Sequence, residues 1–158
     1  MIRLIAALDC ERGIATDTGI PWRLPGDSAY FRDRTRTGTV VMGRGTYEEF
    51  PSSLHDRENF VLTSSPNRLR PGFRSVAALA DFFDVHGEEE VWVIGGAAVF
   101  DQTISRGDEL LLTRVQGDFR CTKFFPLFEG PFSLTERSED REENGISYRF
   151  ETWRRAKG

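Results

Sequence analysis

Val91-Trp92-Val93-Ile94-Gly95-Gly96-Ala97-Ala98-Val99-Phe100 decides the fold. Val91–Ile94 reads as a fully apolar strand, Gly95-Gly96 ends it, and Ala97–Ile104 continues as a helix. The same strand-to-helix rhythm runs outward on both sides. Upstream, Thr39–Met42 is a short apolar strand, and Gly43-Arg44-Gly45 turns it into a helix over Thr46–Phe50. Asn59–Thr63 is a further strand, closed by Ser64-Ser65-Pro66. Ser75 is placed to cap a helix over Val76–His86, with Leu79, Phe82 and Phe83 inward and Gly87 as its stop. Ile2–Leu8 is a buried strand. Gly26–Arg36 reads as a helix opened by Pro25. Between them, Asp9–Pro25 has no periodicity and reads as a long loop, a kind that is usually functional or mobile. Downstream, Leu110–Val115 is another strand. Phe132–Glu136 and Ser147–Arg154 alternate like two strands of a hairpin joined by the polar stretch Arg137–Gly145. Strands alternating with helices, then a terminal hairpin, predict an α/β fold with a mostly parallel sheet and an antiparallel edge.

Composition narrows the class. The chain has 158 residues, about one domain's worth, and 39% apolar with 29% charged residues is globular. A net charge of −4 and a pI near 5.3 argue against a nucleic-acid partner. Cys10 and Cys121 make no disulfide framework, and the two histidines make no metal site. No apolar run approaches the ~18 residues of a membrane span, and Leu4–Leu8 is too short for a signal-peptide core. These features predict a cytoplasmic, single-domain monomer.

Several residues are candidates for chemistry, each with a plainer alternative. Gly95-Gly96 leaves bare backbone at a helix start, which suits a phosphate, or is a tight turn. Gly43-Arg44-Gly45-Thr46 repeats that arrangement with a guanidinium able to fork onto phosphate, or is a surface arginine. With Thr63-Ser64-Ser65 after a third strand, these turns suit one extended anionic ligand such as a dinucleotide. Asp27, on a face shared with Leu24 and Phe31, is a first-turn helix residue or an anchor for a cationic or amidine-like group. Arg57 is a solvated arginine or the partner of a substrate carboxylate. Trp22, Tyr30 and Phe31 are core or cofactor contacts. No second carboxylate near Asp27 and no nucleophile–base pair stands out, which favours chemistry whose hard step a cofactor performs.

Taken together, Ile2–Leu8, Pro21-Trp22-Arg23-Leu24-Pro25-x-Asp27, Val41-Met42-Gly43-Arg44-x-Thr46, Arg57-x-Asn59, Val93-Ile94-Gly95-Gly96-Ala97, Leu112-Thr113, Phe125-Pro126 and Tyr148-x-Phe150-Glu151 resemble dihydrofolate reductases, in order and in spacing. The resemblance runs over essentially the whole chain. It outweighs a pyrimidine reductase of the riboflavin pathway and a nucleotide-binding module without catalysis, because Asp27, Thr113 and Arg57 are all in place.

The resemblance implies a central, mostly parallel eight-stranded sheet with an antiparallel C-terminal hairpin, flanked by four helices, in one domain over residues 1–158. It implies NADPH-dependent reduction of 7,8-dihydrofolate to tetrahydrofolate for one-carbon metabolism, and antifolate inhibitors as further ligands. Asp27, Thr113 and Trp22 would be the catalytic residues. Asp27 would hold the pterin and promote protonation at N5, and Thr113 would support it through its hydroxyl and a water. Ile5, Ala7, Phe31, Arg32, Phe50, Leu54, Arg57 and Ile94 would line the substrate site with them, Arg57 on the glutamyl α-carboxylate. The cofactor would meet Ala7, Ile14, Ile20, Gly43, Arg44, Gly45, Thr46, Leu62, Thr63, Ser64, Ile94, Gly95, Gly96, Ala97, Ala98, Val99 and Phe100. Ile14 and Ile20 would join the apolar walls that exclude water, and a cis peptide would join Gly95 to Gly96.

The chain also departs from the family pattern. Ala98 and Gly45 stand where basic residues are common, which leaves Arg44 as the clear phosphate contact, with Arg68 nearby. Phe100 stands where a tyrosine is common, and Ser28 where an apolar residue is. Cys121-Thr122-Lys123 replaces a Gly-Asp-Thr whose carboxylate holds loop 9–24 closed. The missing carboxylate predicts a looser loop, with Asp118 as the only nearby substitute.

Overall fold

The computed structural model describes residues 1–156. Lys157 and Gly158, the end of the expected domain, lie outside the described residues. In chain order the elements are β1 (Ile2–Leu8), β2 (Gly13–Ala15), α1 (Pro25–Arg34), β3 (Thr39–Gly43), α2 (Arg44–Glu49), β4 (Glu58–Leu62), β5 (Phe73–Val76), α3 (Leu79–His86), β6 (Val91–Val93), α4 (Ala97–Thr103), β7 (Glu109–Val115), β8 (Lys123–Phe124), β9 (Phe132–Arg137), β10 (Arg141–Glu143) and β11 (Ile146–Arg155). Among these elements no helix is long and apolar enough to cross a membrane.

The expected sheet is present. Eight strands run in the order β10-β11-β7-β1-β6-β3-β4-β5, and β9 adds a ninth by pairing with β11. From β7 to β5 every neighbour is parallel, and β11 turns the direction by pairing antiparallel to β7. Two side-chain layers follow from strand alternation. Leu4, Leu8, Val41, Val91, Val93, Leu110 and Leu112 face α3 and α4, packing with Leu79, Phe82, Phe83, Val99 and Phe100. Ile5, Val40, Met42, Trp92 and Leu111 face the opposite way, under Tyr47 of α2 and Tyr30 and Phe31 of α1.

Four local expectations need correction. Ser75 does not cap a helix, because Phe73–Val76 is a strand in parallel register with Asn59–Leu62. The strand buries Phe73 and Val76 at this edge, and α3 starts three residues after Val76 with no side-chain cap. The helix expected from Thr46 already begins at Arg44. The polar stretch Arg137–Gly145 is not a simple connection but contains β10, which pairs with the first part of β11 while β9 pairs with the second. Asn144 and Gly145, both at positive φ, make the tight turn between β10 and β11. Loop 9–24 is not wholly irregular either, because β2 within it pairs with β8.

One buried ion cluster ties β11 to β7. Glu151 is buried and accepts from Arg114 Nη1 at 3.1 Å, Arg149 Nε at 2.7 Å and Trp153 Nε1 at 2.9 Å. Burial pushes this carboxyl up, and the Arg149, Trp153 and Arg114 donors together outweigh burial and hold it below its ordinary value. A depressed folded-state value contributes stability above the unfolded value and loses it as pH falls through the folded one. Glu151→Gln should therefore cost about 1–3 kcal/mol at neutral pH, as expected for charge-assisted bonds. Denaturant titrations should show that gap closing on acidification below the ordinary carboxylate range.

Candidate active site

Asp27 lies in the first turn of α1, which Pro25 opens with its fixed φ and its missing donor at a position that needs none. Thr113 lies on β7 opposite Ala7 of β1, on the sheet face that α1 covers. The Thr113 hydroxyl donates to Asp27 Oδ1 at 2.6 Å. That direct bond explains the polar interruption of Leu110–Leu112, because a buried hydroxyl needs a partner. Burial pushes the Asp27 carboxyl up, the Thr113 hydrogen bond opposes this, and the Glu143 carboxylate adds to the rise. A half-buried carboxylate with no cation paired to it is a poor salt-bridge partner and a good proton-holding group.

The apolar surroundings gather largely as the sequence predicts. Phe31, Phe50, Leu54 and Ile94 are half-buried and pack against the layer containing Ile5. Ala7 packs with Trp22, Leu24, Val115 and Tyr148. Trp22 is buried edge-on to Phe119, with ring centroids 5.3 Å apart. Ile14 packs against the other core, on the α3/α4 side of the sheet. Ile20 does not join a wall: it is 58% exposed, projecting from a loop tip where Thr16 and Gly19 bond each other's backbone. Ser28 is exposed on α1.

Arg57 is positioned by the end of α1. Its Nε donates to the carbonyl of Thr35 at 2.6 Å, Nη2 to that of Arg32 at 2.7 Å and Nη1 to that of His55 at 3.1 Å. The last helical carbonyls lack helical partners, so a guanidinium there is doubly favoured. One hydrogen on each terminal nitrogen stays available for a carboxylate fork. Burial, then Arg36, lower its proton affinity and Asp56 raises it. Arg32 meets this site through its backbone, and its side chain is exposed.

The two glycine turns lie side by side because β6 and β3 are neighbours. Gly43 N donates to Gly95 O at 2.7 Å, and the Gly95–Gly96 peptide is cis as expected. Gly95 has φ +121°, which side chains rarely adopt. A Cβ on Gly43 would lie 2.8 Å from Val99 Cγ2, so the turn is glycine because α4 packs on it. Thr46 Oγ1 faces both Gly95 and Gly96. Ala97 is half-buried and Ala98 exposed at the start of α4. Val99 and Phe100 are spent in the core, Phe100 against Phe125 at 4.9 Å, so only their backbone belongs to the turn.

Beyond these turns a cleft of about 860 Å³ is lined by Arg44, Leu62, Thr63, Ser64 and Ser65 on one side and by Ala77–Ala80, Phe83, Gln102 and Arg106 on the other. Arg44 reaches Thr63 Oγ1 at 3.2 Å and Glu48 at 3.1 Å. Nothing lies within 4 Å of a Cβ placed on Gly45. Arg106 and Gln102 were missed by sequence reading. Gln102 lies in the last turn of α4 and Arg106 three residues beyond that helix, and only the folded path brings them back to Arg44. Arg68 is exposed and does not line this cleft.

The loop is held differently from the expectation. Asp118 does not substitute for the missing carboxylate, because its Oδ1 accepts from Arg120 N within its own turn. The carboxylates come instead from loop 9–24 itself. Thr122 Oγ1 donates to Asp17 Oδ1 at 2.9 Å, and Thr122 N to Ala15 O at 2.9 Å. Buried Asp9 accepts from Glu11 N and Gly13 N on Oδ1 and from Phe119 N on Oδ2, at 2.8–3.0 Å. The charge has moved from one side of the contact to the other. The signal was present in Asp9, a charged residue directly after an apolar strand.

Comparison with known proteins agrees with this arrangement. The family model described as dihydrofolate reductase matches residues 1–155. A dihydrofolate reductase of Bacillus subtilis is 36% identical over 154 residues, covering 95% of this chain and 92% of the relative. One from Staphylococcus aureus is 31% identical over 125 residues, covering 79% and 77%. The solved structure of dihydrofolate reductase from Enterococcus faecalis, complexed with NADP(H) and RAB-propyl, superposes with a TM-score of 0.90 at 25% identity, covering 99% of this chain and 97% of that one.

Asp9 provides a test of the loop anchorage. Asp9→Ala leaves the buried Gly13 and Phe119 amides without an acceptor, at a cost of about 2 kcal/mol. Those two amides should lose hydrogen-exchange protection, and Trp22 fluorescence should shift toward that of a wetter indole. Asp9→Asn, which keeps one acceptor, should fall between the two.

Proposed function

The chain belongs to the dihydrofolate reductase family, and from that premise we propose that it reduces 7,8-dihydrofolate to 5,6,7,8-tetrahydrofolate, with Asp27 holding the pterin and the proton. The single observation that carries this reading is the half-buried Asp27 carboxylate, fixed by Thr113 at 2.6 Å and lacking a cation partner. Oδ1 is occupied by Thr113, which leaves acceptor capacity for the N3 and 2-amino donors of a pterin. A buried negative charge beside the ring favours the protonated form at N5. Phe31, Phe50, Leu54, Ile5 and Ile94 keep water from the reacting face, and Arg57 presents its free hydrogens to the glutamyl carboxylate.

The residues present fit NADPH. The adjoining glycine turns leave bare backbone beside Thr46, whose Oγ1 would stand 3.3–3.4 Å from a Cβ on Gly95 or Gly96, and the cleft beyond them carries guanidinium groups from opposite sides, Arg44 and Arg106. When bound, NADPH supplies the hydride that C6 of the pterin accepts. Thr46 and the Gly95–Ala97 turn would hold the pyrophosphate, and Arg44 with Thr63 and Ser64 the 2′-phosphate. Arg106 stands where it can replace the cation missing at Ala98. Trp22 would keep loop 9–24 against the site through its contact with Phe119. We also propose that the chain acts as one domain, as a cytoplasmic monomer serving one-carbon metabolism.

Asp27→Asn should keep the fold and reduce turnover at neutral pH by roughly 10²–10⁴-fold, the usual worth of general acid–base assistance. Near-full kcat with dihydrofolate would remove Asp27 from this role. Arg44→Ala and Arg106→Ala should each weaken NADPH by roughly tenfold or more, as for a lost charge-assisted bond, and leave NADH little changed. Isothermal titration with both cofactors checks this, and equal losses for both would make the arginines structural.

A further inference from the structure

A second carboxylate stands beside Asp27. Glu143, at the end of β10, reaches the start of α1. Its Oε1 accepts from Gly26 N at 2.8 Å and from Tyr148 Oη at 2.5 Å. The approach is close enough to dictate the residue at 26. A Cβ there would lie 2.5 Å from Tyr148 Oη and 2.7 Å from Glu143 Oε1. The same turn sends Asn144 Nδ2 to the carbonyl of Arg23 at 2.8 Å. Thus the β10–β11 hairpin grips both the backbone ahead of α1 and its first amide, one peptide before Asp27.

We propose that Glu143 is a positioning residue for Asp27, fixing the first turn of α1 through Gly26 and presenting a like charge to the Asp27 carboxylate. The inference rests on the role assigned to Asp27 under the proposed function. Asp27 is faced by Thr113 from β7, Glu143 from β10 and Tyr148 from β11, with Tyr30 one turn along α1. Of the cations around this site, Arg34 lies over Tyr30 at 5.1 Å and Arg141 over Phe150 at 5.2 Å. Tyr30 in turn stacks on Phe150 at 3.9 Å. Among the described residues neither Asp27 nor Glu143 forms an ion pair with a cation. Like charges disfavour double ionisation, so the Asp27–pterin pair keeps its proton to higher pH. The Tyr148 hydroxyl, pushed up to about 12 by burial and by Glu143, stays protonated as the donor to Glu143 Oε1.

Glu143→Gln separates charge from geometry, since the amide oxygen still accepts from Gly26 and Tyr148. Carbon-13 NMR of the ligand-free protein should show the Asp27 carboxyl titrating lower by roughly half a unit, about threefold in its ionisation constant. The falling high-pH limb of kcat/KM should move down by a similar amount, with little change in Tm. Glu143→Asp, which restores charge on a shorter arm, should recover part of the shift. An Asp27 titration left unchanged by Glu143→Gln overturns the proposal, as does a Gln variant whose only change is in Tm. The ligand-free titration does not depend on turnover. An Asp27 titration lowered by Glu143→Gln, in a protein that fails to reduce dihydrofolate, would refute the function and leave the positioning role standing.

Discussion

The hydrogen bond from Thr113 to Asp27 is the interaction on which the site depends. It joins the central strand pair to the helix that lies across it, and it spends the only polar side chain within the buried stretch Leu110–Thr113. A carboxylate left this way on an apolar face is held in place and denied a cation. Burial raises its affinity for a proton, and the Thr113 hydrogen bond opposes part of that rise. The rest of the site serves that condition. Apolar rims on α1, α2 and the segment after it limit water. The hairpin at the C-terminal end fixes the start of α1, and loop 9–24 carries Trp22 into the buried cluster beside Ala7.

The parallel sheet explains why two kinds of ligand region adjoin. β6 and β3 are neighbours, so their C-terminal turns meet, and the bond from Gly43 to Gly95 makes them a single cradle. Ligands in open α/β sheets sit beyond the carboxyl ends of the strands. Here α1 on one face and the cleft bounded by α3 and the end of α4 on the other flank that edge. Asp27 and the cleft lined by Arg44 and Arg106 thus reach one line from opposite sides of the sheet.

Much of this was legible in the chain because it depends on local rules. The apolar runs at Ile2–Leu8, Val91–Ile94 and Leu110–Val115 could only be buried strands. Glycine after a strand, and proline before Asp27, mark turns with few alternatives. Val76 was misplaced because its partner Leu62 is distant in sequence, and a serine before an apolar stretch looks the same whether it caps a helix or ends a strand. β10 was hidden because an edge strand beside solvent can be entirely polar. Arg106, Gln102 and Glu143 share one reason for being missed. Each acts across a tertiary contact, and nothing in its neighbouring residues announces the partner. The loop contact shows the opposite error: a carboxylate absent from one side was read as a lost interaction, when Asp9 and Asp17 supply it from the other.

The central claim is that one protonation centre, Asp27 with the bound pterin, controls hydride uptake from NADPH. The most direct measurement follows the NADPH absorbance band in the presence of dihydrofolate, across mildly acid to alkaline pH, for the parent protein. The account predicts loss of absorbance only when protein, NADPH and dihydrofolate are all present, at a rate that falls as rising pH strips the shared proton. A rate that persists without dihydrofolate, or one independent of pH across that span, would contradict it.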